Sequence, residues 1–435
     1  MDAMRRFFRL DALGTTVATE LRAGLVTFLS LSYILVVNPQ ILSEAGMPAT
    51  DVAVATAVAS AIACLVMGLY ANYPFALAPG MGMNAYFTYG VVTGLDIHWT
   101  VALGAVFVEG LLFLLLTVTG IRGALTRAIP LSIKTAAMSG VGLMLAIIGF
   151  QAAGLIVAHP VTLVTLGDLH AVSALLGLAG LLLTGALLAR RVPGAILVGI
   201  LAITAVSWGL GLAPSPERVL AAPAFPKDTF LAFGLADLLS APLLSVIAAF
   251  LFVDLFDTAG TLMGLGMLTR RVDSNGELDR ATQAYTADAV GTVAGAVLGT
   301  SPVTSFVESA TGVEEGGRSG LTAVTVAGLF LLSLFFVPLI VAVPRVASAP
   351  ALVVVGALMM QGARRIDWSR ADESLPAFLT VVTMPFTYSI ANGISVGIVS
   401  WVGIRLLAGR MHEVSPLMYA LAGLVVAFYG LGLAG

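Results

Sequence analysis

Apolar runs of roughly 17 to 25 residues alternate with short polar clusters along almost the whole chain, and about 20 apolar residues suffice for a helix to cross the hydrocarbon layer of a bilayer. This pattern predicts an all-α polytopic membrane protein with about 14 transmembrane spans. The predicted spans are residues 21–42, 51–72, 74–92, 99–119, 133–158, 171–189, 193–212, 240–267, 282–299, 302–312, 318–343, 350–363, 375–390 and 392–409.

The composition points the same way, because 59% of the residues are hydrophobic and only 10% are charged. The formal net charge of -3 offers no basic surface to nucleic acid, so a nucleic-acid partner is excluded and the lipid bilayer is the expected surrounding. Cys64 is the single cysteine, and the sequence contains no Cys/His cluster. We therefore expect no cofactor, no structural metal and no redox chemistry.

The distribution of Arg and Lys predicts the orientation, since cytoplasmic loops are enriched in both. If residues 1–20 form a cytoplasmic N-terminus, alternation places the basic loops inside, and the outside loops 43–50, 93–98 and 159–170 contain no Arg or Lys. The inside loops carry Arg122, Arg127, Lys134, Arg190, Arg191, Arg270, Arg271, Arg280, Arg364, Arg365 and Arg370. We expect a multi-pass protein of the cell inner membrane. Within residues 410–435, the apolar stretch 415–433 is either an extra crossing or a helix lying on the membrane.

Two of the predicted spans are interrupted. The third contains Pro74, Pro79, Gly80 and Gly82, and the tenth, around residues 299–312, is short, rich in hydroxyl groups and broken by proline. The third and tenth spans occupy equivalent positions in two halves of seven spans each, which predicts inverted repeats over residues 21–212 and 240–409. We expect short extended segments where the helices break. Interrupted segments at matching positions of an inverted repeat indicate a transporter binding site.

Acidic residues within the apolar runs are the strongest chemical signal. Asp254 and Asp257 are spaced i and i+3 on one predicted helix face, and Glu308 lies in the broken tenth span. Each carboxylate costs roughly 2.5 to 3.5 kcal/mol at the centre of a membrane helix, and these stretches contain no Lys or Arg. Protonation, a bound cation or N–H donors of a ligand would offset the cost, which indicates a coupled symporter. Alternatively, the acids only fix helix packing.

Other polar residues are weaker candidates. Asn84 in the broken third span offers a donor and an acceptor together, and we expect it to contact the cargo. A structural role is the more expected one for Glu109 in the fourth span and Asp288 in the ninth. The four histidines all fall in loops or at span ends, which argues against a histidine proton relay inside the membrane.

Three long motifs occur in one order along the chain. They are PGMGMNAYF at 79–87, FVDLFDTAG at 252–260 and TSPVTSFVESATG at 300–312. Together they resemble the AzgA-like purine permeases of the nucleobase:cation symporter (xanthine/uracil permease) superfamily. The likeness extends from about residue 14 to about residue 409 and includes the stretches 15–24 and 312–322.

This resemblance implies a transporter that carries adenine, guanine and hypoxanthine inward, usually with a proton; sodium is the less expected ion. It also implies a homodimer that works by an elevator movement, with core spans in 21–119 and 240–343 and gate spans in 133–212 and 350–409. The family motifs map base binding onto Asn84, Asp254 and Glu308, with Met83 and Phe306 beside them. Asp257, with Glu308, is the candidate for proton coupling. An aromatic side chain such as Phe306 would stack on the purine face.

Three other readings of the pattern remain open at this point. An anion carrier on the same inverted-repeat architecture would present helix N-termini and a basic residue to its cargo. An intramembrane aspartyl hydrolase would need two aspartates sharing a proton, normally from two elements rather than one helix. A passive channel would give flux that neither saturates nor depends on a proton gradient.

Overall fold

The computed structural model describes residues 2–120, 122, 129–235, 240–272 and 278–430. Most of this part of the chain is helical, as predicted. The α-helices in chain order are α1 Asp2–Phe7, α2 Val17–Leu31, α3 Ile34–Glu44, α4 Ala49–Val66, α5 Met81–Ala85, α6 Trp99–Val118, α7 Leu131–Ala152, α8 Val172–Ala189, α9 Ala195–Gly209, α10 Ala241–Thr269, α11 Ala281–Leu298, α12 Ser309–Glu314, α13 Gly320–Ser333, α14 Val337–Val341, α15 Arg345–Met359, α16 Ala371–Thr387, α17 Ile390–Leu407 and α18 Pro416–Gly430.

Four strands complete the fold. They are β1 Leu77–Pro79, β2 Ile156–His159, β3 Leu163–Leu166 and β4 Val303–Ser305. Short π-helical turns, Met67–Ala71 and Tyr86–Thr93, extend α4 and α5, and 3-10 turns follow α13, α15 and α17. Nine helical segments of the described chain are long and apolar enough to cross a membrane, and two apolar helices are shorter. The number of crossings stays a prediction.

The two interrupted spans meet each other in the middle of the molecule. Strand β1 of the third predicted span pairs antiparallel with β4 of the tenth, with Ala78 opposite Thr304. The Gly80 N–H donates to the Pro302 carbonyl at 2.9 Å, and the Phe306 N–H donates to the Ala76 carbonyl at 3.0 Å. Since backbone groups at membrane depth need partners within the protein, each broken span satisfies the other. The predicted extended segments are confirmed.

Two predicted spans differ from the structure in shape. The first, 21–42, contains two helices, because the chain turns at Ser32 and Tyr33 between α2 and α3. The fifth, 133–158, ends early: α7 stops at Ala152, and the residues beyond it form a hairpin in which β2 pairs with β3. Apolar residues continue through this hairpin, so hydropathy alone extended the helix too far.

The helices pack into two groups. In the first, which comprises α2–α6 and α10–α14, α11 lies against α4 and α6, and α13 lies against α2 and α4. In the second, which comprises α7–α9 and α15–α17, α15 lies against α7, α8 and α9. Glycines allow close approach within each group: a Cβ on Gly320 would lie 1.9 Å from the Gly68 carbonyl oxygen, and one on Gly356 would lie 2.3 Å from that of Gly142.

A buried carboxylate fixes α2 against α13. Glu20 is fully buried and accepts hydrogen bonds from the Arg318 N–H at 2.9 Å, the Ser319 N–H at 3.2 Å and the Thr322 hydroxyl at 2.6 Å. The two N–H groups directly precede α13, and the Thr322 N–H of its first turn also donates to Glu20, at 3.3 Å, since the early donors have no partner within the helix. Glu20 therefore caps a helix that is remote in sequence, and its role is structural.

The last helix, α18, packs along α17. Near its start, the Tyr419 hydroxyl donates to the carbonyl of Met411 at 3.1 Å, and Met411 lies just beyond the end of α17. Near its end, the Tyr429 hydroxyl donates to Asn392 Oδ1 at 2.5 Å, at the start of α17. The two helices are therefore antiparallel over most of their length.

Candidate functional site

The two helix groups face each other across a cleft between α5 and α10 on one side and α7 and α17 on the other. A cavity of about 20 Å³ in this cleft is lined by Gly82, Ala137, Met138, Val141, Val253, Phe256, Asp257, Met359 and Ile390. That volume holds about one water molecule, so the cleft is narrow at this point. Asp257 is the charged member of the lining and is half-buried.

Glu308 is the second acidic group beside the cleft. It directly precedes α12, is half-buried, and its Oε1 accepts a hydrogen bond from the Tyr33 hydroxyl at 2.7 Å. The Tyr33 ring lies 6.5 Å from the Phe306 ring, measured between centroids. Asp257, Glu308 and Tyr33 lie within electrostatic range of one another. The structure thus brings Asp257, Glu308 and Phe306 together, as the sequence predicted.

Asn84 is fully buried in α5, and its oxygen already has one hydrogen-bond partner. Its Oδ1 already accepts a hydrogen bond from the Ser301 hydroxyl, which precedes β4. Its amide nitrogen contacts only the weak acceptor Met81 Sδ at 3.9 Å among the described residues. The Ser301 hydroxyl uses one of the two lone pairs of this oxygen, and the N–H groups of Asn84 remain available, so its contact with the cargo stays a prediction. Met83, also predicted, is buried beside it.

Asp254 lies on the same helix as Asp257 and has different surroundings. It is fully buried, is absent from the cavity lining, and its Oδ1 lies 3.1 Å from the Thr258 hydroxyl. The same hydroxyl lies 2.6 Å from Asp288 Oδ2 and 3.0 Å from the Thr304 hydroxyl of β4. Asp288 Oδ1 accepts from Ser305 at 3.3 Å. The two aspartates of α10 therefore serve two neighbouring environments.

One basic residue of the predicted inside loops has a buried side chain. Arg122 was expected in a cytoplasmic loop, yet its side chain is only 2% exposed. Its guanidinium carbon lies 3.9 Å from the centre of the Phe113 ring and 3.5 Å from that of Tyr285, a cation–π geometry. It lies in the field of Asp288, Asp254 and Glu109. A long side chain can reach back into the protein, which loop hydropathy does not reveal.

Tyr33 and Thr258 belong to the site and were missed. Tyr33 could have been found because Ser30, Ser32 and Tyr33 place hydroxyl groups within an otherwise apolar first span. Thr258 is one helical turn from Asp254, a spacing that puts the two side chains on one face. In the described part of the chain, no three acidic, histidine or cysteine side chains are arranged to hold a metal ion.

Two broken spans that meet at a central cleft lined by acidic groups are typical of a membrane transporter. The Permease family profile (Xan_ur_permease) matches residues 18–396. The chain belongs to this permease family. It is a multi-pass membrane transporter and not an enzyme.

Individual relatives cover nearly the whole permease. It is 41% identical over 423 residues to the adenine permease AdeP of Escherichia coli, covering 97% of this chain and 95% of that protein. It is also 41% identical over 437 residues to the guanine/hypoxanthine permease PbuG of Bacillus subtilis, covering 98% of this chain and 99% of that protein.

The fold has solved counterparts. The permease resembles the transmembrane domain of a cyanobacterial bicarbonate transporter, BicA, with a TM-score of 0.65 over 86% of this chain and 97% of that one. The two sequences are 19% identical, so the likeness concerns the fold alone. The inverted-repeat architecture predicted from the interrupted spans is the fold of that transporter.

Proposed function

We propose that this permease carries purine nucleobases, namely adenine, guanine or hypoxanthine, inward across the cell inner membrane. The observation that carries the proposal is a cleft lined by Asp257, with the acceptor carboxyl of Glu308 within electrostatic range and with α5, the helix that carries the Asn84 amide, in its wall. Relatives that cover the whole chain are named as permeases for adenine and for guanine and hypoxanthine, which supports this substrate class.

The proposed contacts match the edge of a purine. Ring and exocyclic N–H groups would donate to Glu308 and to Asp254, whose Oδ2 has no hydrogen-bond partner among the described residues. Asn84 would donate to a ring nitrogen or a carbonyl oxygen of the base. Phe306 would cover the flat face, and Met83 would pack behind Asn84. A site built on such pairs rejects bases that lack a matching group, because its own buried groups would then stay unpaired.

We also propose that a proton accompanies the base, with Asp257 and Glu308 as coupling residues. Both are acidic groups beside the cleft, where burial disfavours a bare negative charge. A state that binds base and proton together would then differ in energy from a state that binds neither. Sodium is the alternative coupling ion.

The movement we propose is an elevator in which the first helix group, the core, slides against the second, the gate, in a homodimer with a cytoplasmic N-terminus. The core would span 21–119 and 240–343, and the gate 133–212 and 350–409. The small volume of the cavity between the groups supports this proposal, because a base fits there only if the two sides of the cleft separate.

The test is uptake of radiolabelled hypoxanthine, adenine, guanine and uracil by cells that lack their own nucleobase carriers, with and without a protonophore. Wild type should show saturable purine uptake that the protonophore abolishes, and Glu308→Gln should show none at equal expression. Transport of none of these bases by a well-expressed protein would overturn the proposal. Saturable uptake of bicarbonate or another anion would then favour the anion carrier.

A further inference from the structure

Three helices of the core place one carboxyl group each in a single buried cluster. Glu109 comes from α6, Asp254 from α10 and Asp288 from α11, and all three side chains are 0% exposed. Glu109 lies in the field of Asp288, Asp254 and Arg122. The cluster adjoins the proposed base site through Asp254. We call these three carboxyls, with Arg122, the core acid cluster.

The hydroxyl at the centre of this cluster has too few hydrogens for its neighbours. Thr258 Oγ1 is within hydrogen-bond distance of Asp288 at 2.6 Å, Thr304 at 3.0 Å and Asp254 at 3.1 Å. A hydroxyl group donates one hydrogen and otherwise accepts. If Thr258 donates across the shortest contact, to Asp288, the contact with Asp254 is a hydrogen bond only when Asp254 carries a proton. The geometry therefore favours a protonated aspartate.

Neither oxygen of Glu109 has a hydrogen-bond donor among the described residues, and Asp254 Oδ2 has none either, while the two carboxyl groups lie near each other. A bare carboxylate without donors is costly at membrane depth, whereas a protonated carboxyl needs only one acceptor nearby. Asp254 lies within electrostatic range of Glu109. A proton held by one of these two acids and hydrogen-bonded to the other would lower the cost of burying both carboxyl groups.

Arg122 limits how many protons the cluster holds. Its guanidinium is fixed between Phe113, one helical turn beyond Glu109, and Tyr285, three residues before Asp288. Three ionised carboxylates and one guanidinium would leave two negative charges in the membrane interior. Two bound protons make the cluster neutral, and loss of one leaves a single negative charge. The charged and titratable groups that face Glu109 are thus Asp254 from α10, Asp288 and Tyr285 from α11, and Arg122.

We propose that the transported proton passes beyond the coupling residues Asp257 and Glu308 into the core acid cluster, and that Glu109 is its inner acceptor. When the cleft is open to the outside, a proton from water would protonate Asp254 and pass to the Glu109 carboxylate. When the cleft is open to the inside, the proton would return to Asp254 and leave to the inside water. Asp254 would then be free to accept an N–H of the base while Glu109 holds the proton. This inference rests on the proposed proton-coupled transport and adds a residue on α6 that touches neither cleft nor base.

Glu109→Gln tests the inference because glutamine resembles a permanently protonated glutamate. The assay uses purified protein in proteoliposomes and the base that wild type accumulates best. An imposed gradient of one pH unit supports roughly tenfold accumulation per proton. We expect Glu109→Gln to exchange labelled for unlabelled base while its internal to external ratio stays near one. A merely structural residue would lower exchange and accumulation together.

Glu20→Gln is the matched control, since Glu20 is an equally buried core glutamate whose carboxylate accepts hydrogen bonds at the start of α13. It should retain gradient-driven accumulation, with a lower melting temperature at most. If Glu109→Gln does not fold, Arg122→Met serves instead: loss of the positive charge should raise proton affinity and move the pH dependence of uptake to higher pH.

The inference and the proposed function fail in different ways. If wild type transports no base, or transports it without a proton gradient, the proposed function is wrong. If wild type is proton-driven and Glu109→Gln still accumulates base tenfold, or if Arg122→Met leaves the pH profile unchanged, the core acid cluster is not the proton site and the proposed function stands.

Discussion

The Tyr33 hydroxyl donates a 2.7 Å hydrogen bond to Glu308 across a sequence separation of 275 residues. The bond joins the turn between α2 and α3 to the residue that precedes α12, so it connects the two inverted repeats beside the cleft. It also leaves the second oxygen of Glu308 available to a base. Tyr33 is therefore a positioning residue for the proposed binding carboxyl.

The first prediction concerns this bond. Tyr33→Phe keeps the ring beside Phe306 and removes only the hydroxyl. Because hydrogen bonds to charged groups contribute roughly 1.5–3 kcal/mol, we expect KM for the base to rise about 10- to 100-fold. Uptake kinetics measure this. Tyr419→Phe, which removes a hydroxyl that contacts the Met411 carbonyl far from the cleft, should leave KM unchanged. An unchanged KM in Tyr33→Phe would contradict the role given to the bond.

The second prediction separates the N–H groups of Asn84, which would donate to the base, from its oxygen, which accepts a hydrogen bond from Ser301. Asn84→Asp replaces the N–H donors by an acceptor, so we expect loss of measurable uptake. Ser301→Ala removes only the donor that orients Asn84 Oδ1, and a typical bond of this kind contributes about 0.5–1.5 kcal/mol. KM should then rise roughly 2- to 12-fold.

Both variants require immunoblot quantification, so that uptake is compared at equal amounts of protein. Equal losses in Asn84→Asp and Ser301→Ala would mean that the pair acts only in folding. Retained uptake in Asn84→Asp would mean that the amide donates nothing to the base.

Several residues of the candidate site could be predicted from the sequence for a simple physical reason. Polar side chains in apolar runs need partners, and Asn84, Asp257 and Glu308 stand out on that ground alone. The broken spans were equally visible, because proline and glycine interrupt helices wherever they lie. The sequence pattern does not show which residues of one repeat face the other. The antiparallel pairing of β1 with β4 in the structure does.

The remaining features depend on directions that a linear pattern does not encode. Arg122 follows an apolar helix and reads as a loop cation, but its side chain points back between two rings. The continuation of apolar residues beyond Ala152 hid the β2–β3 hairpin, since strands and helices can share the same composition over a few residues. The oxygen of Asn84 could not be assigned before Ser301 was placed beside it.

The third prediction concerns an ion-pair network at the end of α17. Arg405, 4% exposed, pairs with Asp372 at 3.2 Å, with Glu413 at 2.5 Å and with Glu373. Arg405→Ala would leave several carboxylates facing one another, so we expect a melting temperature lower by several degrees. Arg410→Ala, at 40% exposure of the side chain, should cost less. Thermal unfolding of purified protein in detergent distinguishes the two.

The same network has a pH dependence with a definite sign. The hydrogen bond from Arg370, just before the predicted span 375–390, holds the pKa of Asp372 below its ordinary value. A carboxyl with a lowered folded pKa stabilises the protein above the pKa of the unfolded chain and loses that effect as pH falls through the folded value. Wild-type melting temperature should therefore be insensitive to this group from pH 8 to 5 and fall below about pH 4.

The fourth prediction is that α18 crosses the membrane. It runs antiparallel along α17, which is long enough to cross, and contacts near Tyr419 and Tyr429 join its two ends to the two ends of that helix. Tyrosine is enriched at both membrane interfaces, whereas a helix lying on the surface would place both rings at one depth. Residue 430 should then lie on the opposite side of the membrane from residue 412.

Single cysteines test this directly. The native Cys64 is buried, so its background labelling should be low, and Gly430 and His412 have exposed positions that tolerate cysteine. With a cytoplasmic N-terminus, a membrane-impermeant maleimide should label Gly430→Cys in intact cells and His412→Cys only after lysis. The reverse pattern would invert the orientation and keep the crossing. Labelling of both from the same side would place α18 on the membrane surface. The hydrogen bond between Tyr429 and Asn392 could then not form, because the two residues would lie on opposite sides of the bilayer.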